Sequence, residues 1–129
     1  MRFQVFGFDR LPSGTCRARV VLSWIDGREF VGESEGVTSQ AGELRCSAEA
    51  ALRALEQAVT SDVEIELLGV KAVRAFDATV VIVSLSVRSE GNVWSMIGSY
   101  LTETDPARGA ALAVLNATNR VLGNYVTTR

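Results

Sequence analysis

Hydrophobic and polar positions alternate with the period of a strand three times before the period changes. Arg2 to Phe8 reads as a first strand, Arg17 to Ile25 as a second and Arg28 to Glu35 as a third. Pro12 and Gly14 mark the turn between the first two. Asp26-Gly27 is a two-residue hairpin signal, because a type I′ turn needs positive φ at both positions. From about Gly42 to Val59 the period is helical, and Thr60 to Asp62 ends that helix. The order then repeats. Val63, Ile65 and Leu67 alternate with Glu64 and Glu66, a strand with one wet face. Ala78 to Arg88 is the most apolar strand, with Val81, Val83, Leu85 and Val87 on one face and Val80, Ile82, Ser84 and Ser86 on the other. Ser89 to Asn92 is a polar hairpin turn and Val93 to Leu101 the last strand.

Asp105 to Arg120 reads as a second helix. Thr104 or Asp105 suits its N-cap, and Pro106 suits the first helical position, where no backbone donor is needed. Ala107, Ala111, Val114, Thr118 and Val121 share one face, rich enough in alanine to pack close to a sheet. Gly123 stands where a C-terminal cap belongs.

The two halves echo each other. Ala50 to Leu55 (AALRAL) matches Ala110 to Leu115 (AALAVL) sixty residues on, and Arg19 to Leu22 (RVVL) matches Thr79 to Ile82 (TVVI) at the same offset. Phe3 to Phe8 matches Ile65 to Val70 at sixty-two, and Phe30-Val31-Gly32 matches Met96-Ile97-Gly98 at sixty-six. The pattern predicts an α+β domain over residues 1–129: a duplicated βββα unit with antiparallel sheets, two helices packed on them and internal pseudo-twofold symmetry. The first repeat covers about 1–60, the second about 61–123, and 124–129 is a polar tail. Both helices are expected on one sheet face in two layers. The other face carries Val21, Val80, Ile82 and either Trp24 or Trp94, which predicts a homodimer or larger assembly. Which strand residues point inward stays open, because offsets of sixty and sixty-one give opposite answers, as a β-bulge in one copy would cause.

Composition narrows the function. The net charge is -2, Lys71 is the single lysine and the arginines are scattered, which argues against a nucleic-acid partner. No apolar run approaches a membrane span, and Gln4, Asp9 and Arg10 break any leader pattern, so a cytoplasmic location is expected. Cys16 and Cys46 are expected as free thiols. There is no histidine, which removes the usual general base and the commonest metal ligand. No catalytic residues, metal or cofactor are expected, and the chain is read as not an enzyme. Glu33 with Glu35, and Glu64 with Glu66, are read as solvated strand carboxylates rather than catalytic pairs. Gly32 to Gly36 lacks the lysine of a phosphate loop. Trp94, Met96 and Tyr100 share one strand face and read as packing residues.

Two places suit a ligand, both helix starts fed by glycine, where free N–H groups favour an anion. The candidate ligand-binding residues are Gly32, Gly36, Thr38, Ser39 and Gln40 at the first, and Thr104 and Asp105 at the second. The first is the better anion site, because the Asp105 carboxylate can occupy the second. Glu33 or Glu35 is the expected partner of a ligand ammonium. The competing reading is that Ser39, Thr104 and Asp105 only cap their own helices.

At these segments the chain resembles the C-terminal regulatory, leucine-sensing, dimer-forming domain of 2-isopropylmalate synthase and citramalate synthase. The resemblance rests on Gly98, Thr104-Asp105, Ala110, Ala113, Ala117 and Asn119-Arg120, and on Gly32, Gly36 and Ala41 near the first helix. Val37-Thr38-Ser39-Gln40 departs from the Pro-Val-Asp-Ala expected there. The resemblance implies the duplicated fold, a dimer, an amino-acid effector near the helix starts and a partner enzyme, since the family's catalytic barrel is absent. It predicts a stand-alone, non-catalytic sensing or allosteric module. The alternative is a purely structural homodimer or adaptor with the pocket lost.

Overall fold

The computed structural model describes residues 1–59 and 62–119. The elements are β1 (Arg2–Arg10), β2 (Thr15–Ser23), β3 (Glu29–Val37), α1 (Gln40–Ala58), β4 (Val63–Ala75), β5 (Ala78–Ser89), β6 (Asn92–Thr102) and α2 (Pro106–Thr118). This is the α+β, twice-repeated βββα arrangement that the hydrophobic pattern predicts. The expected helical positions Arg120 and Val121, the Gly123 cap and the tail lie outside the described residues.

The strands do not form one sheet. They make two antiparallel three-stranded sheets, β1-β2-β3 and β4-β5-β6. Each meander closes on itself through short turns, and the chain leaves it only through a helix. α1 packs on β2 and β3, α2 on β5 and β6, and the helices pack on each other, with α1 also reaching β4. Each helix is therefore covered over most of its circumference rather than along one stripe. In α2, Ala110, Ala111, Ala113, Val114, Leu115, Ala117 and Thr118 are all buried, while Arg108 and Asn116 stay exposed. Alanine makes this possible, because it lets a helix approach two neighbours closely.

A β-bulge sits at the same place in both units. In β1, Phe3 pairs with Leu22 and Val5 with Val21, leaving Gln4 as the extra residue. In β4, Leu67 pairs with Leu85 and Gly69 with Ser84, leaving Leu68. An extra residue flips the inward parity. Phe3 before the bulge and Phe6 and Phe8 after it all pack on the core, as do Leu67, Val70 and Ala72 in the second unit.

The true correspondence follows from two glycines. Gly32 lies opposite Val20 and against Ala50 and Ala54; Gly98 lies opposite Val83 and against Ala113 and Ala117. The middle strands and the helices thus match at sixty-three residues, and the echoes at sixty misplace them by three. The first strands match at sixty-four, Phe3 to Leu67, rather than sixty-two. The sixty-six offset of Gly32 and Gly98 is the one that the structure shares. Inward on the middle strands are Cys16, Ala18, Val20 and Leu22, and Val81, Val83, Leu85 and Val87, all fully buried.

Two local expectations are corrected. Trp24 and Arg28 pair across the second turn (N–H to carbonyl 2.9 Å), so Ile25, Asp26 and Gly27 form a three-residue loop with only Gly27 at positive φ, 87°. The two-residue turn with both φ positive is instead Glu90 (52°) and Gly91 (79°). Trp94 lies opposite Val87 and, like Trp24, packs partly buried against the core, so neither serves as an outer-face residue.

Candidate functional site: the two helix starts

The turn from β3 into α1 is tightly fixed. Ser39 is extended (φ -141°), and its hydroxyl accepts from the Gly42 N–H at 3.0 Å. Its carbonyl accepts from the Glu43 N–H at 2.8 Å, and the Thr38 N–H donates to the Gly14 carbonyl at 3.0 Å. Gly42 has to be glycine, because a Cβ there would stand 2.1 Å from the Val37 carbonyl oxygen. By helix geometry the Gln40 and Ala41 N–H groups have no partner within α1. Gly36, Thr38, Ser39 and Gln40 are thus brought together at this start. Gly32 is not among them. A Cβ on it would stand 2.0 Å from the Ala50 carbonyl oxygen, in the middle of α1, which makes its role one of packing.

At the start of α2, Asp105 is the cap. Its carboxylate accepts from the Arg108 N–H at 3.1 Å and its carbonyl from the Gly109 N–H at 3.0 Å. The Asp105 N–H donates to the Thr102 hydroxyl at 3.1 Å, and Thr104 stands exposed beside it.

An arginine that sequence reasoning passed over stands at the first start. Arg10, the last residue of β1, grips Glu43 in the first turn of α1 with two bonds, Nε to Oε2 at 3.0 Å and Nη2 to Oε1 at 2.9 Å. Its guanidinium also lies 5.3 Å from the centre of the Phe8 ring. The hydrogen bond and charge of Glu43 hold Arg10 protonated above the ordinary arginine range, and Asp105 adds a smaller push in the same direction. Arg10 is therefore bonded to the first turn of α1 and feels, more weakly, the charge of the Asp105 cap of α2. The available signal was Glu43 itself, an acidic residue in a helix first turn. Its arginine partner comes from a residue thirty-three positions earlier and had no local signature.

Glu33 and Glu35 do not belong here. They lie on the outer face of the first sheet, where Glu35 bonds Arg17 (Nε to Oε1 3.0 Å) and Glu33 lies 3.9 Å from Arg19. The carboxylates that do stand at the helix starts are Glu43, in the first turn of α1, and Asp105, the cap of α2. The strand parity explains the shift: Gly32, Ser34 and Gly36 face α1, so their odd-numbered neighbours face away.

Cys16 and Cys46 are free and buried, as expected. The Cys46 thiol donates to the Ser34 carbonyl at 3.0 Å. Burial first, and the neighbouring Cys16 second, push it up to about 11. Among the described residues, no group of three or more His, Cys, Asp or Glu is placed to hold a metal ion, and no helix is long and apolar enough to cross a membrane. No protein-family model matches the chain, and no curated protein matches it.

Proposed function

We propose that the chain is a non-catalytic, dimeric module that senses a small amino acid at the start of α1 and passes the signal to a partner enzyme in the cytoplasm. The family resemblance implies this role, and one observation of this structure supports it: Arg10 grips Glu43 in the first turn of α1 and feels the charge of the Asp105 cap of α2. An amino acid is a zwitterion. Its carboxylate suits Arg10 together with the Gln40 and Ala41 N–H groups, and its ammonium suits Glu43 or Asp105. The clamp then exchanges one internal ion pair for two with the effector.

A second reading, a structural homodimer or adaptor, is favoured by the caps. Ser39 and Asp105 already satisfy their own helices, and Arg10 already has a partner.

Thermal melts with leucine, isoleucine or valine, beside lysine as a control, separate the two. Binding to the native state at a hundredfold excess over Kd adds about 2.7 kcal/mol, which raises Tm by several degrees in a domain of this size. The sensing reading expects that rise with a branched amino acid and its loss in Arg10→Gln. No rise with any amino acid at millimolar concentration favours the structural reading.

A further inference from the structure

The duplicated fold contains its own control for what the outer sheet faces need. Equivalent rows can be compared directly. On the first sheet one outer row is Asp9-Arg17-Glu35; the matching row of the second sheet is Val73-Val80-Leu101. The next row is Gly7-Arg19-Glu33 on the first and Lys71-Ile82-Ser99 on the second. The first unit closes these rows with ion pairs, Arg17 to Glu35 and Arg19 to Glu33. The fold therefore does not require apolar residues at these positions, yet the second unit places Val73, Val80, Ile82 and Leu101 there without covering them. Leu101 is 62% exposed and Val73 38%.

We infer that the outer face of β4-β5-β6 is the surface on which a second copy of this chain docks, sheet against sheet, about a twofold axis running along β5. Area is the first argument. Val73, Val80, Ile82, Val93, Ile97 and Leu101 expose on the order of 500 Å². Phe76 is fully exposed at the adjoining β4–β5 hairpin tip, and a stable interface takes roughly 800 Å² from each partner, polar rim included.

Self-complementarity is the second argument, and it selects a second copy over an unrelated partner. The axis along β5 lays β4 over the partner subunit's β6. Val73 then meets the copy of Leu101, and Gly69, which has no side chain, receives the copy of Ile97, the most exposed of the apolar strand residues on this face. Lys71 meets the copy of Ser99 rather than another cation, and Glu66 meets the copy of Ser95. Arg88 meets its own copy at one end of the axis, where its ion pair with Glu64 at 3.8 Å offsets the like charge. Aligned packing of this kind is how two sheets ordinarily bury their faces, about 10 Å apart. A partner with a charged surface would leave these rows unmatched.

This inference names the surface for the dimeric part of the reading above and does not depend on its effector part. Light scattering and the amino-acid melt therefore fail separately. The test is light scattering at micromolar concentration on the full chain and on Val80→Arg/Leu101→Glu. That double variant copies the Arg17–Glu35 pair of the first unit into the same place, so the fold has a precedent for it. The expected result is twice 13.9 kDa for the parent and 13.9 kDa for the variant, with an unchanged circular dichroism spectrum and a cooperative melt. In addition, Val80→Cys lies beside its own copy and cross-links through a short bismaleimide, while the buried Cys16 and Cys46 do not react. A parent mass near 13.9 kDa overturns the proposal, as does a dimer that survives in the double variant. A dimer in which Val80→Cys fails to cross-link overturns the axis along β5.

Discussion

Gly98 lies so close to Ala113 that a Cβ built on it would stand 2.2 Å from the Ala113 carbonyl oxygen. Gly32 stands in the same relation to Ala50, at 2.0 Å. In both units a third-strand glycine lets the helix backbone settle directly on the strand, and an alanine four residues on completes the contact. Backbone cannot move aside as a side chain can. Gly98→Ala and Gly32→Ala are therefore expected to cost about 3 kcal/mol or more each. Gly7, whose Cβ position meets only the Arg19 Cβ at 3.9 Å, is the control, and Gly7→Ala is expected to change stability by less than about 1 kcal/mol. Urea unfolding of the three variants checks this; equal midpoints would remove the argument from close approach.

The caps make a separate prediction. Ser39→Ala and Asp105→Ala each remove a side-chain acceptor from a helix N-terminus and are expected to cost about 1 kcal/mol. Thr104→Ala, at the alternative cap position, is expected to leave the melt unchanged. A loss in Thr104→Ala comparable with that in Asp105→Ala would reassign the cap.

Cys46 predicts a pH dependence. Its thiol is raised to about 11 in the fold, by burial and then by Cys16, against roughly 8.5 for a cysteine in an unfolded chain. Between those values the folded state holds the proton and the unfolded state does not. The contribution is therefore fully present below about 8.5 and is lost as pH rises toward about 11. Urea midpoints of the parent are expected to fall across that window more steeply than those of Cys46→Ala. Parallel curves would show that the thiol does not carry the linkage.

Much of the fold was legible because it is written in short-range periods. Alternation marked β5 and divided its two faces, and Pro106 after a capping residue marked α2. Three features were not legible, each for a physical reason. The bulges at Gln4 and Leu68 are set by pairing with another strand, and the repeat offset of sixty-three shows only in which residues pair across the strands. The division into two sheets depends on which edges stay unpaired. Those edges are closed by helix side chains at matching places, Arg53 to the Glu33 carbonyl at 2.7 Å and Asn116 to the Ser99 carbonyl at 2.8 Å. In the candidate site, Ser39 and Asp105 were visible as caps. Arg10 was not, because its meeting with Glu43 is made by the tertiary fold.

The claim that the start of α1 is an amino-acid site is tested most directly by following backbone amide resonances while leucine, isoleucine or valine is added. The account predicts that the Gln40, Ala41 and Glu43 amides shift with saturation, together with the Arg10 side-chain Nε–H, and that Arg10→Gln abolishes the shifts while the rest of the spectrum is retained. Resonances around Arg10, Gln40 and Glu43 that stay fixed at millimolar amino acid, or shifts confined to other parts of the chain, would contradict it.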